Sequence, residues 1–111
     1  IQVNLQNEAT KSGVLPDELG VLIDEIKNLA NLNLRGVMAI PAPETMFDRQ
    51  RATFAKLREL LEAVNREHQT NMDCLSMGMT DDLEAAVAEG ATHVRVGTAI
   101  FGPRQKPASN P

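Results

Sequence analysis

Ser76-Met77-Gly78-Met79-Thr80-Asp81-Asp82 is the most informative segment of this chain, and a second glycine-containing segment, Gly97-Thr98-Ala99-Ile100-Phe101-Gly102, begins 15 residues after Asp82. Each segment closes a short apolar or β-branched run with small residues that leave backbone N–H groups accessible. Two such loops at the ends of neighbouring strands form a cradle for a phosphate group. The pair therefore predicts a site for a phosphorylated small molecule.

The length and composition indicate one domain. The chain has 111 residues, of which 42% are hydrophobic, so it can bury one modest core. We expect residues 1–102 to form that domain and residues 103–111 to be a flexible tail. The single cysteine, Cys74, cannot form an internal disulfide, and no apolar run approaches the length of a membrane span. These features favour a cytoplasmic protein with no membrane partner.

Charge and histidine placement exclude two further classes of site. A net charge of −4 argues against general nucleic-acid binding, which needs a concentrated basic face. His68, His93 and Cys74 lack the spacing of metal ligands, so no metal site is expected. We expect His68, at the end of an exposed helix, to be solvated.

The hydrophobic periodicity alternates between strands and helices. Four strands are predicted at 1–6, 34–40, 72–76 and 92–97, with helices near 16–31, 46–68 and 80–89 and a short turn after the last strand. Such alternation predicts parallel strands with right-handed crossovers, an α/β fold. The spacing is that of a (β/α)8 TIM-barrel, but a closed barrel needs about 250 residues. The chain therefore resembles half a barrel, with an open doubly wound sheet as the alternative.

Four segments, in order along nearly the whole chain, resemble the pyridoxal 5′-phosphate homeostasis protein family: KSG at 11–13, GVMAIPAP at 36–43, LSMGMTDDLEAA at 75–86 and VRVGTAIFG at 94–102. The resemblance implies the C-terminal half of an alanine racemase N-terminal-like barrel, bound pyridoxal 5′-phosphate, and a homeostasis role without established catalysis. It also implies a partner, the missing N-terminal half of the barrel, which carries the Schiff-base lysine in the family. Where the family usually has Arg-x-Tyr, this chain has Arg104 followed by Gln105 and Lys106.

The expected cofactor site combines hydroxyl groups, backbone N–H groups and one cation. If Val94 and Val96 pack under helices, Arg95 and Gly97 face the barrel lumen. Met38 is expected on the lumen face, where it could pack on the pyridine ring. The predicted cofactor-binding residues are Ser76, Met77, Gly78, Arg95, Gly97, Thr98 and Met38.

Each part of this site also has a purely structural interpretation. Gly78 and Gly97 can be turn formers, Arg95 can pair with Asp73 or Glu84, and Met38 can fill the core. Asp81 and Asp82 suit a helix capped by Thr80, but their charges would repel a phosphate placed directly on that helix. We therefore expect the phosphate to contact the Gly97-Thr98 turn.

The lysines and the absence of tyrosine bear on catalysis. Related racemases use a lysine and a tyrosine, and this chain contains no tyrosine. Its lysines, Lys11, Lys27, Lys56 and Lys106, lie in predicted loops, helices or the tail, so any adduct with the cofactor aldehyde is expected to be weak and to form at Lys11. A non-catalytic carrier is the favoured function. The alternatives are a racemase-like or other phosphate-ligand barrel enzyme, and a structural half-barrel that binds nothing until it is paired.

Half a barrel also exposes two strand edges, which promote association. We expect this chain to pair with the missing half or with a second copy, or to be a part of a longer chain.

Overall fold

The structure is a computed structural model that describes residues 1–9 and 12–105. Within these residues, three parallel strands form one sheet in the order β1-β2-β3: β1 is Gly36–Met38, β2 is Cys74–Met79 and β3 is His93–Arg95. Lys11, where an adduct was predicted, lies outside the described residues, as do residues 106–111 of the flexible tail predicted over 103–111.

Four α-helices accompany the sheet in the described part of the chain. They are α1 (Leu19–Lys27), α2 (Phe47–His68), α3 (Leu83–Ala88) and α4 (Thr98–Phe101), and a 3-10 turn at Pro16–Glu18 leads into α1. The fixed φ of a proline and the acidic residues after it suit the start of a helix, as predicted. The structure is therefore an α/β fold with parallel strands joined by helical crossovers.

The prediction of four strands is not confirmed. The segment 1–6 forms only isolated bridges, Gln2 with Met38 and Val3 with Val14. The Val3 N–H donates to the Met38 carbonyl at 2.7 Å, but the chain turns soon afterwards, and Asn7 has a positive φ of 51°. The segment lies next to β1 in parallel orientation and is too short to extend the ladder.

Strand β2 ends three residues later than the 72–76 prediction. It continues to Met79 through a register shift against β3 between Ser76 and Met79, and Gly78 adopts a φ of +102° there. A Cβ atom at Gly78 would lie 2.6 Å from the Cβ of Ala86 in α3. Gly78 is thus required both by the backbone of this bulge and by the close approach of α3.

The core lies between the sheet and the helices. Val37 on β1, and Leu75 and Met77 on β2, face the helices and are buried. The rest of the core comes from the start of the chain, the helices and the loops before β2: Val3, Leu19, Ile23, Ala39, Phe54, Leu57, Leu61, Val64, Met72, Ala85 and Ala86. Since side chains alternate along a strand, Met38, Ser76 and Arg95 lie on the opposite face. We call this the inner face.

A buried carboxylate joins α3 to α2. Glu89, which is 7% exposed, accepts a hydrogen bond from Arg51 Nε at 2.8 Å and another from the Arg58 guanidinium. These bonds, that of Arg58 first, hold the pKa of Glu89 below its usual value against the opposing effect of burial. The carboxylate at the end of α3 is therefore stabilised by cations from the neighbouring helix.

His68 is not solvated as predicted. Its Nδ1 lies 3.0 Å from Asp24 Oδ1, and its ring packs over Gly20, where a Cβ would lie 2.5 Å from Nε2. Lys27 Nζ donates to the His68 carbonyl oxygen at 2.7 Å. The side chain belongs to the contact between α1 and α2.

Candidate functional site

A cleft opens at the carboxyl ends of the three strands. It has a volume of about 740 Å³ and is lined by Gln50 of α2 and by residues from the segments at and after the ends of β1, β2 and β3, within 40–45, 79–82 and 97–104. In parallel α/β proteins, ligands bind at this edge of the sheet, because the loops there can vary without disturbing the core. The cleft is therefore the candidate site.

Gly97 and Thr98, two of the predicted residues, line the cleft. A Cβ atom added to Gly97 would meet no atom within 4 Å, so this glycine borders open space. Among residues 1–9 and 12–105, no acceptor pairs with the N–H groups of Gly97 and Thr98, whereas the Ala99 N–H donates to Thr80 Oγ1 at 3.3 Å. Two successive free donors and a hydroxyl group thus lie at one end of the cleft.

Three other predicted residues lie within β2 and do not line the cleft. Met77 is completely buried in the core, and Gly78 packs against α3. Ser76 lies on the inner face, opposite Met38 in the register of β1 and β2. The longer strand places Met77 and Gly78 in β2 rather than in the loop predicted after it, whereas Ser76 lies in the strand, as predicted.

Arg95 extends across the inner face. Its Nη2 donates to the Ala39 carbonyl at 3.2 Å and, at 3.4 Å, to the Ser76 carbonyl. Its Nε is buried and has no hydrogen-bond partner in the described part of the chain. Arg95 does not pair with Asp73, which instead forms an exposed ion pair with Arg35 at 3.1 Å.

The inner face also carries Met38, which is only partly buried. The fully buried residues on either side of it, Val37 and Ala39, contribute to the core and Met38 does not. Met38 is therefore available beside Ser76 for a ligand on the inner face, but it does not line the cleft.

The acidic residues of the cleft are largely engaged with backbone N–H groups. Asp82 Oδ1 accepts from the Met79 N–H at 2.7 Å, and Glu44 Oε1 accepts from the N–H groups of Thr45 and Met46, both at 3.0 Å. Thr80 does not cap α3 as predicted. The residue at the N-cap position is Asp82, and its side chain makes no capping hydrogen bond.

Sequence reasoning missed Gln50, which lines the cleft although only 8% of its surface is exposed. Its amide nitrogen donates to the Glu44 carbonyl at 2.6 Å and, at 3.4 Å, to the Asp81 carbonyl. A signal was present in the sequence, because Gln50 is in phase with the buried apolar residues of α2, beginning with Phe54 and Leu57. A polar residue in an apolar stripe needs buried hydrogen-bond partners.

Two further observations concern other classes of site. Nowhere in residues 1–9 and 12–105 do three or more His, Cys, Asp or Glu side chains come together in a group suited to a metal ion. Across the same residues, no helix has the length and apolar character needed to cross a membrane.

Comparison with known proteins identifies the family. The model of the alanine racemase N-terminal domain matches residues 1–105. The chain belongs to this family. It is 55% identical over 104 residues to the pyridoxal phosphate homeostasis protein of Pseudomonas aeruginosa, and 46% identical over 106 residues to that of Escherichia coli K12. Each match covers 94% of the chain and 44% of the relative. The resemblance noted in the sequence motifs is confirmed.

Solved structures share the fold. PipY of Synechococcus elongatus without pyridoxal phosphate matches with a TM-score of 0.81 at 35% identity, over 91% of this chain and 47% of PipY. PipY with pyridoxal phosphate bound matches with a TM-score of 0.77 at 33% identity, over 91% of this chain and 49% of PipY. The chain thus spans less than half of the length of the relatives that it matches.

Proposed function

We propose that this chain is the C-terminal part of a cytoplasmic protein that binds pyridoxal 5′-phosphate and takes part in its intracellular homeostasis as a non-catalytic carrier. The observation that carries the proposal is the match of 91% of the chain to a PipY structure with pyridoxal phosphate bound. The names of the P. aeruginosa and E. coli relatives support the homeostasis role.

The residues present fit a phosphorylated cofactor. The free N–H groups of Gly97 and Thr98, with the Thr98 hydroxyl, are suited to phosphate oxygens. The open space at Gly97 admits a ligand close to the backbone. Arg95 Nε, which has no hydrogen-bond partner within the described part of the chain, offers a charged donor on the inner face. When bound, pyridoxal phosphate supplies an aldehyde that reacts with primary amines.

Each predicted residue has a proposed role in this site. Gly97 and Thr98 bind the phosphate, and Arg95 adds a fixed positive charge. Ser76 and Met38 line the inner face, one with a hydroxyl group and the other with an apolar surface for the ring. Met77 and Gly78 act through the backbone, because their positions in β2 set the place of the loop that begins at Thr80.

The proposed partner is the N-terminal half of the barrel, which supplies the Schiff-base lysine. Within the described residues, no strand pairs with the outer edge of β3. Apolar side chains at this end of the sheet are exposed, among them Val94, Ile100 and Phe101, the last at 85%. An unpaired edge and an apolar surface together suit the packing of further strands and helices.

A PLP-dependent racemase-like activity is the second candidate, since the chain belongs to the alanine racemase N-terminal domain family. This chain supplies no tyrosine, and racemisation needs an acid–base group on each face of the substrate, so the part outside residues 1–111 would have to supply the tyrosine as well as the lysine.

The test is to purify the intact protein, dialyse it after incubation with pyridoxal phosphate, and assay alanine racemisation. We expect about one cofactor per protein molecule to be retained and no racemisation above the rate of free cofactor. Loss of all cofactor on dialysis would refute the binding proposal. Retention together with turnover would favour the racemase.

A further inference from the structure

The cleft is bordered by three separate loops, and side chains join them. Gln50 lies in the first turns of α2, and its amide nitrogen donates both to the Glu44 carbonyl in the loop after β1 and to the Asp81 carbonyl in the loop after β2. Thr80 Oγ1 in turn accepts from the Ala99 N–H in α4, in the segment that follows β3. Gln50 and Thr80 thus connect all three walls.

Glu44 makes the loop after β1 suited to this connection. One of its carboxylate oxygens accepts both the Thr45 and the Met46 N–H groups, which folds the loop tightly before α2 begins. The Glu44 carbonyl is then directed at Gln50. Because the loop is closed on itself, the bond to Gln50 fixes the position of the loop as a unit.

The place of Gln50 in α2 is costly for a polar residue. It lies on the buried stripe of the helix, four residues before Phe54, where an apolar side chain would pack without a desolvation penalty. The penalty is offset only because the amide donates to backbone carbonyls of two loops. Both of those loops line the cleft. The hydrogen bonds of Gln50 therefore hold two segments of the cleft wall together.

We propose that Gln50 is a positioning residue, which sets the separation of the loops after β1 and β2 and so the shape of the cofactor cleft. The inference rests on the proposed binding of pyridoxal phosphate. It assigns Gln50 no contact with the cofactor. Its effect is to keep two walls in the geometry that retains the ligand.

Asn65 is a matched control at the other end of α2. Its Nδ2 donates to the Met72 carbonyl at 2.9 Å and its Oδ1 accepts from the Met72 N–H at 3.0 Å, so it also joins the helix to a loop through a side-chain amide. That loop precedes β2 and lies at the amino ends of the strands, away from the cleft. Loss of either amide should destabilise the fold, but only Gln50 should affect ligand retention.

The experiment compares Gln50→Leu and Asn65→Leu in the intact protein, with pyridoxal phosphate as the ligand and two readouts, the melting temperature and the cofactor dissociation rate. We expect both melting temperatures to fall, and dissociation to become about tenfold faster in Gln50→Leu alone. Gln50→Glu is a second variant in case Gln50→Leu does not fold. It keeps the shape of the side chain but replaces the donor by a carboxylate, so it should also accelerate dissociation.

The outcomes separate the two proposals. Equal dissociation rates in wild type, the folded Gln50 variant and Asn65→Leu would overturn the positioning role and leave the binding proposal intact. Faster dissociation in Asn65→Leu to the same extent would also overturn it, since the effect would then follow from stability alone. If the wild-type protein retained no pyridoxal phosphate, the proposed function would fail, and the inference with it.

Discussion

Arg95 Nη2, on β3, lies 3.2 Å from the Ala39 carbonyl oxygen at the end of β1, and the bond passes across β2. One guanidinium therefore bonds across the inner face of the sheet, while its Nε has no partner among residues 1–9 and 12–105. The planar fork of arginine permits both roles, because its donors point in different directions. A substitution at this position should accordingly change both stability and ligand retention.

Replacement of Arg95 by alanine should weaken the binding of pyridoxal phosphate to the intact protein. Loss of one charge-assisted contact costs about 1.5–3 kcal/mol, so the dissociation constant should rise by a factor of about 10 to 100. Equilibrium dialysis measures this change. Arg35→Ala is the control, because the Arg35–Asp73 pair is exposed and lies just before β1 and β2, at the ends of the strands opposite the cleft. Equal affinities in wild type and Arg95→Ala would show that Arg95 stabilises the sheet but does not contact the cofactor.

Two glycine substitutions should separate binding from folding. Gly97→Val places a side chain in open space, so it should leave the melting temperature nearly unchanged while it reduces cofactor affinity about tenfold or more. Gly78→Ala should instead cost about 1–3 kcal/mol of stability, because of the positive φ and the contact with Ala86. Thermal melts and cofactor titrations of both variants check this. A Gly97→Val protein with normal affinity would place the phosphate elsewhere.

The Glu89 cluster should make stability depend on acid pH. Since its pKa is lowered by folding, Glu89 stabilises the protein above its ordinary value of 4.5, and this contribution is lost as the pH falls through the lower folded value. Glu89→Gln should therefore be less stable than wild type at neutral pH, and the difference should shrink below pH 4.5. Urea unfolding at neutral and acid pH measures this difference in the free energy of unfolding. Glu62→Gln, on an exposed carboxylate 3.9 Å from Arg58, should show little effect. A pH-independent difference would contradict the assignment.

Borohydride reduction of the loaded intact protein should not label Lys27 or Lys56. Lys27 lies at the end of α1, where its Nζ donates to the His68 carbonyl, and Lys56 is exposed on α2. Both helices pack on the face of the sheet opposite the inner face, so neither amine lies beside a ligand on the inner face. Peptide mapping should find the label outside residues 1–111. Stoichiometric label on any lysine within these residues would refute the proposed role of the N-terminal half.

Regular patterns made part of this architecture predictable. Helix α2 was predicted over 46–68 and observed at Phe47–His68, because its apolar residues repeat with the helical period over six turns. The parallel α/β arrangement followed from the alternation of elements, and the position of Gly97 and Thr98 at the cleft followed from small residues at a strand end. These signals are local in the sequence, so they can be recognised without knowledge of tertiary contacts.

Other features depend on contacts that no local pattern contains. The extension of β2 to Met79 needs the ladder with β3 and the closeness of Ala86 to Gly78, and the weak pairing of 1–6 depends on Val14 as well as on β1. His68 was expected in solvent because it ends a helix predicted to be exposed, but Gly20 on another helix leaves room for its ring. Tertiary packing overrides the local prediction in each case.

The central place of β2 has a consequence for local opening of the protein. Both crossovers, through α2 and through α3, begin or end at this strand, so neither βαβ unit can separate without exposing it. Amide protons of β2 should therefore exchange with solvent only through global unfolding, whereas those of β3, at the edge, exchange through smaller fluctuations. We therefore expect β2 to be the slowest-exchanging element, which would give the loops of the cleft a stable support.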